Sequence, residues 1–150
     1  MTHGPVAFFS RTYDDAFDLL LDARDYLSDG LARDRGGLGL AEPGAADGIG
    51  RLALSRELHR LTSRITSVMA WCLEQKAVAR GEISAAHYAR QKNRLAGHRV
   101  NLVRPRDPGG AIPPRLGHLL ERSYRLYLRA HRLDQMIYTR APNAQAARRG

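Results

Sequence analysis

Between Arg51 and Arg80 no proline or glycine interrupts the chain, and Leu54, Leu58, Leu61, Ile65, Val68 and Cys72 recur at spacings of 4, 3, 4, 3 and 4. That alternation is a heptad seam, which gathers all six side chains onto one stripe of an α-helix. A helix over 51–80 is a rod about 45 Å long, and Gly81 is placed to end it. A rod of this length cannot bury its apolar stripe against itself. It needs other long helices laid along it, so the rest of the chain is read for segments able to serve.

Two qualify. The first covers about residues 11–29: Ser10 or Thr12 is a candidate N-cap, and Asp14 and Asp15 suit the positive helix end. Its apolar side is read as Tyr13, Phe17, Leu20, Leu21 and Leu27, with Gly30 as the stop. The last covers about 115–138, entered through Pro113 and Pro114, where a first-turn residue has no amide hydrogen bond to lose. Leu116, Leu119, Leu120, Leu126, Tyr127, Ala130, Leu133 and Ile137 supply its apolar face. Ser84 can cap a short extra helix over about 85–96. The seven glycines of residues 30–50 mark a linker, and the prolines and glycines of 97–114 mark a loop. No segment alternates with period two. The expected fold is all-α: a three-helix bundle of long amphipathic helices with one short extra helix, in a single domain over 1–138. The first and last helices are expected parallel, with the middle one antiparallel to both. Residues 139–150 lack a large apolar side chain and are expected to form a disordered tail.

The composition narrows the function. One cysteine in 150 residues excludes an intrachain disulfide and any multi-cysteine metal site. No apolar run approaches the roughly 18 residues of a membrane span, and no basic start precedes an apolar stretch. A cytoplasmic protein is expected. Gly37 and Gly39 do not complete a nucleotide-binding GxGxxG pattern. His59 has no partner at metalloprotease spacing, while His118 and His131 stand thirteen apart. Nothing forms a nucleophile–base, paired-carboxylate or phosphate-cradling set. No catalytic residue, metal or cofactor is assigned, and the chain is read as a non-enzyme.

Charge is divided unevenly. Residues 1–50 carry four Arg and nine acids, whereas residues 51–150 carry twenty Lys or Arg and six acids. On the first helix Asp14, Asp18, Asp22, Asp25 and Asp29 form an acidic stripe at spacings of 4, 4, 3 and 4. Its candidate internal partners are Arg56, Arg60 and Arg64, or the row Arg122, Arg125, Arg129 and Arg132. The stripe is assigned mainly to packing within the bundle, and Arg122, Arg125, Arg129 and Arg132 together are the candidate partner-binding ridge. "VMAWCL", residues 68–73, is apolar around the whole helix circumference, more than the ~100° stripe a seam uses. Met69, Trp71 and Leu73 are therefore candidates for a homodimer interface.

Three stretches then read together: "VAFFSRTYDDAFDLLLDARDYL", "RLTSRITSVMAWCLEQKAVARGEIS" and "LLERSYRLYLRAHRLDQM". They resemble the alphaproteobacterial family of the regulator of CtrA degradation, RcdA. The resemblance covers the three long helices and leaves the linker, the proline loop and the tail unmatched. It implies a dimeric three-helix adaptor that joins the ClpXP protease primed by the response regulator CpdR and brings it cell-cycle cargo proteins. In some relatives a cyclic-di-GMP effector protein also binds the adaptor. Two other readings stand beside it: a basic helical protein that binds nucleic acid, and a structural dimeric module with no part in proteolysis. "VARGEISAAHYARQKNRL" favours the nucleic-acid reading only weakly, because it lacks the facing apolar residues of a helix-turn-helix.

Overall fold

The computed structural model describes residues 5–33, 48–88, 94–106 and 112–146. Three long helices, α1 (Pro5–Arg33), α2 (Gly48–Ala79) and α5 (Pro114–Ala146), pack against one another. Two single-turn helices, α3 (Ala85–Tyr88) and α4 (His98–Asn101), lie between α2 and α5 in sequence.

The central rod forms as its heptads require. Leu54, Leu61, Ile65, Val68 and Cys72 are buried, and Leu58 is half-buried against the same core. Its C-terminus closes through Gly81, whose φ is +77°; Gly81 N–H donates to Val78 O (3.0 Å) and Glu82 N–H to Ala77 O (2.9 Å). This reciprocal pair satisfies carbonyls left open by the last turn. Ser84 caps α3 as expected, its Oγ accepting from His87 N–H at 3.1 Å. The short helix, however, does not extend to residue 96: residues 94–97 are non-helical, and 89–93 lie outside the described residues.

α1 differs most from its sequence reading. It begins at Pro5, so Ser10 and Thr12 are interior positions rather than caps, and it runs through Gly30 to Arg33. The buried side is Phe9, Thr12, Ala16, Leu19 and Ala23, a 3-4-3-4 seam of mainly small residues. Phe17 and Leu27, assigned to the core by size, are 43% and 44% exposed. Small side chains allow close approach of backbones, and Phe9 fills the remaining gap edge-on against the Trp71 ring, centroids 5.5 Å apart. α5 presents its expected face, with Leu116, Leu119, Leu120, Leu126, Tyr127 and Ala130 buried. It continues to Ala146, so the expected disordered tail is helical over 139–146; residues 147–150 lie outside the described residues, as do 34–47 of the linker.

The helix directions also depart from expectation. Arg115, Arg122 and Arg129 of α5 meet Asp29, Asp22 and Asp15 of α1 in reverse order, so these two helices are antiparallel. Arg64 and Trp71 of α2 meet Ser123 and Asp134 of α5 in the same order, so α2 and α5 are parallel. The cause is the connection. Residues 80–113 have ample length to recross a bundle whose 32-residue α2 spans about 48 Å. Within that connection the described residues 94–106 form a strap over the α2/α5 groove: Leu95 and Ala96 meet α5 near Asp134 and Tyr127, and Asn101 and Val103 meet α2 at Arg64.

The strap turns into α4 at Gly97, which has φ of +83°. A Cβ there would stand 2.6 Å from Asn101 Nδ2. Gly97→Ala should therefore cost about 1–3 kcal/mol from left-handed strain and displacement of Asn101, read as a lower urea midpoint. Gly117→Ala is the control: a Cβ at Gly117 meets nothing within 4 Å, and the substitution should be neutral or stabilising by under about 1 kcal/mol.

Candidate interaction surfaces

Two buried charges fasten the strap. Arg64 is fully buried; its Nε donates to Asn101 O at 3.0 Å, one terminal nitrogen donates to Ser123 Oγ at 3.2 Å, and the other to Val103 O at 2.5 Å. Burial lowers its affinity for the proton, against the opposing pull of Glu57. Asp134, also fully buried, accepts from Trp71 Nε1 (3.1 Å), from Leu95 N–H (3.4 Å) and from Arg94 (3.1 Å). Arg94 in turn lies 4.0 Å over the Tyr138 ring. Between these two anchors Tyr127 donates to Ala96 O at 2.7 Å; burial pushes its hydroxyl up to about 12. His98 and His131 stand edge-to-face with centroids 4.8 Å apart, each with a buried ring nitrogen rather than a solvated rim position. Burial, reinforced by His98, lowers the pKa of His131.

Trp71 is therefore an intramolecular core residue, 2% exposed, and its assignment to a dimer interface is corrected. The indole could not reach a second subunit without leaving Asp134. Met69 packs half-buried against the core, while Leu73 is 52% exposed. The large apolar residues that α1 and α2 leave exposed are Val6, Phe8, Phe17, Leu27, Leu52 and Leu73. Cys72 is buried, and desolvation pushes its thiol up to about 12. It should resist a disulfide reagent at pH 8 in the folded protein and react stoichiometrically once urea unfolds it; rapid modification of folded protein would contradict the packing.

The acidic stripe is internal, but its register differs from the one assigned. Asp15, Asp22 and Asp29, seven apart, pair with Arg129, Arg122 and Arg115, also seven apart, at 2.7, 2.6 and 2.6 Å. Of the stripe Asp14, Asp18, Asp22, Asp25 and Asp29, only Asp22 and Asp29 join this ladder among the described residues. Asp25 pairs with its neighbour Arg24, and Asp14 and Asp18 form no ion pair among the described residues. The candidate row on α5 divides accordingly. Arg122 and Arg129 are committed to α1, whereas Arg125 is 77% exposed and holds only Glu121 one turn away. Arg132 is exposed with no ion pair among the described residues. An open groove of about 440 Å³ follows the α1/α5 seam, lined by Asp18, Leu19, Arg125 and Leu126 beside the ladder.

Among the described residues no group of three or more His, Cys, Asp or Glu is placed to hold a metal ion, and no helix is long and apolar enough to cross a membrane. What the geometry provides is a helical bundle with charged edges. The chain belongs to the family described as a protein of unknown function, DUF1465, whose model matches residues 5–149. No curated protein and no solved structure matches it.

The ladder pairs are about half exposed, so each should contribute only about 0.2–1 kcal/mol. Their main effect is on register. Reversing Arg115, Arg122 and Arg129 to Glu should lower the thermal midpoint at low salt, and reversing Asp15, Asp22 and Asp29 to Lys in the same chain should restore it. A gain that vanishes in high salt fits the ladder; no restoration contradicts it.

Proposed function

We propose that this protein is a non-enzymatic adaptor for regulated proteolysis, one that binds ClpXP primed by CpdR and delivers cell-cycle regulators for degradation. The observation that carries the reading is the set of three sequence blocks resembling the RcdA family. All three blocks lie on the long helices: the first holds Phe9, Thr12 and Ala16, the second Val68, Trp71, Cys72 and Gln75, the third Leu119, Leu120 and Ser123, all buried. They support a bundle of the same construction. Specific partners are then chosen by what stands outside it.

The outer edge of α5 is the contact face in this reading. After α1 has taken Arg122 and Arg129, Arg125 and Arg132 remain directed outward at a spacing of one heptad. Arginine forks bind carboxylates bidentately, and loss of a central one often costs more than about 1 kcal/mol in an interface. A homodimer belongs to the same proposal, with exposed Leu73 and Phe17 as the apolar positions available to it. A cyclic-di-GMP effector protein, where one is present, would be a further partner.

Purified ClpXP and CpdR with a candidate cargo provide the test. Wild type should accelerate degradation, and Arg125→Glu/Arg132→Glu should reduce that acceleration about tenfold or more while leaving helicity unchanged. Equal delivery by the double variant would remove the α5 edge from the mechanism. A wild type that accelerates no cargo would end the adaptor reading.

A further inference from the structure

The strap lies in the longest stretch of the chain free of acids, between Glu82 and Asp107. Residues 83–106 contain six Lys or Arg and no Asp or Glu. Asn101 is buried and Leu102 half-buried against the core, which turns Arg99, Val100, Val103, Arg104 and Arg106 outward. The three arginines make no ion pair among the described residues, and Val100 and Val103 are 41% and 36% exposed between them. Directly beneath, the buried guanidinium of Arg64 donates to the carbonyls of Asn101 and Val103. Its charge is poorly screened there and adds to the positive potential of the outer face.

We propose that this outer face of the strap is a binding site for an acidic, partly apolar polypeptide segment of a partner protein. Charge complementarity requires an anionic occupant. The two valines select its class: covering them favourably takes aliphatic or aromatic side chains, which a peptide can interleave with carboxylates. A nucleic-acid strand would need aromatic stacking platforms, and the outward row Arg99–Arg106 contains none. The site is also held in shape before binding. Arg64, Tyr127 and Asp134 fix the strap backbone to α2 and α5, so little ordering remains to be done when a partner docks. The α5 edge carrying Arg125 and Arg132 is a separate surface, and this inference does not depend on the adaptor reading.

The test is fluorescence anisotropy with a short labelled peptide of Glu, Asp and Leu, and with its counterpart in which Gln and Asn replace the acids. Wild type should bind the acidic peptide and not the neutral one, with affinity falling as salt rises. Arg99→Glu/Arg104→Glu should weaken binding about tenfold or more, and Val100→Ser/Val103→Ser should weaken it severalfold. Arg11→Glu/Arg56→Glu, exposed on α1 and α2 and equal in charge change, should bind as wild type does. Each substituted residue is exposed, and unchanged circular dichroism would confirm that the fold is kept. The proposal is overturned if wild type fails to bind the acidic peptide or if the strap variants bind it equally well. It is also overturned if labelled duplex DNA binds and the valine variant retains that binding, which would make the strap a phosphate-binding surface. Sedimentation supplies the last arm: loss of self-association in the arginine variant, with no peptide bound by wild type, would assign the face to a second copy of the chain.

Discussion

The inner side of the strap lies against the α2/α5 groove, and two buried charges of opposite sign hold it there. A buried polar group without a partner costs about 1–3 kcal/mol, so a connection lying on the bundle needs donors and acceptors along its path. Arg64 supplies donors to the carbonyls of Asn101 and Val103, and Asp134 supplies an acceptor to the Leu95 amide and to Arg94. With the strap so held, α5 starts at the same end of the bundle as α2 and runs parallel to it. α1 is then the helix that opposes both, and the Asp–Arg ladder sits along its edge with α5. Helix direction, strap position and the division of the α5 arginines all follow from this one requirement.

How much of this could be read from the chain depends on the element. α2 was legible because its heptad is built from large aliphatic residues without interruption. The α5 face was legible for the same reason. α1 was not, because its buried side is Thr12, Ala16 and Ala23, while larger residues such as Phe17 face outward. Side-chain size is a poor guide where close helix approach favours small residues. The helix directions were hidden by the usual rule that neighbouring helices join through short connections, which the 34-residue connection between α2 and α5 does not obey. Asp134 carried no flag either: one acid among apolar residues on α5 reads as surface until Trp71 and Arg94 are seen to converge on it. A signal was present, since Asp134 lies seven residues after Tyr127 and fourteen after Leu120, in the buried row itself.

The arginines show how packing sorts a composition that sequence leaves undivided. Twenty-two arginines are spread through the chain, and periodicity alone grouped Arg122, Arg125, Arg129 and Arg132 as one ridge. The structure separates them by what they meet: Arg122 and Arg129 complete the ladder, Arg125 lines the α1/α5 groove and pairs with Glu121 on its own helix, and Arg132 is exposed with no ion pair among the described residues. The same sorting makes Arg64 a buried clamp and leaves Arg99, Arg104 and Arg106 outward on the strap. A protein with net charge +9 thus uses part of its basic content to hold its own helices and exposes other arginines, among them those on the α5 edge and on the strap.

The central claim, that the crossing strap makes α1 antiparallel to α5, is tested most directly by the distance between paired spin labels. In a Cys72→Ala background, one label at Ser28→Cys is combined with a second at His118→Cys or at Gln135→Cys, all three being exposed positions. His118 and Gln135 are separated by about 25 Å along the helix at 1.5 Å per residue. The antiparallel arrangement predicts a short distance for the 28/118 pair and a distance of at least about 25 Å for the 28/135 pair. The reverse order would contradict the strap crossing and the ladder register together.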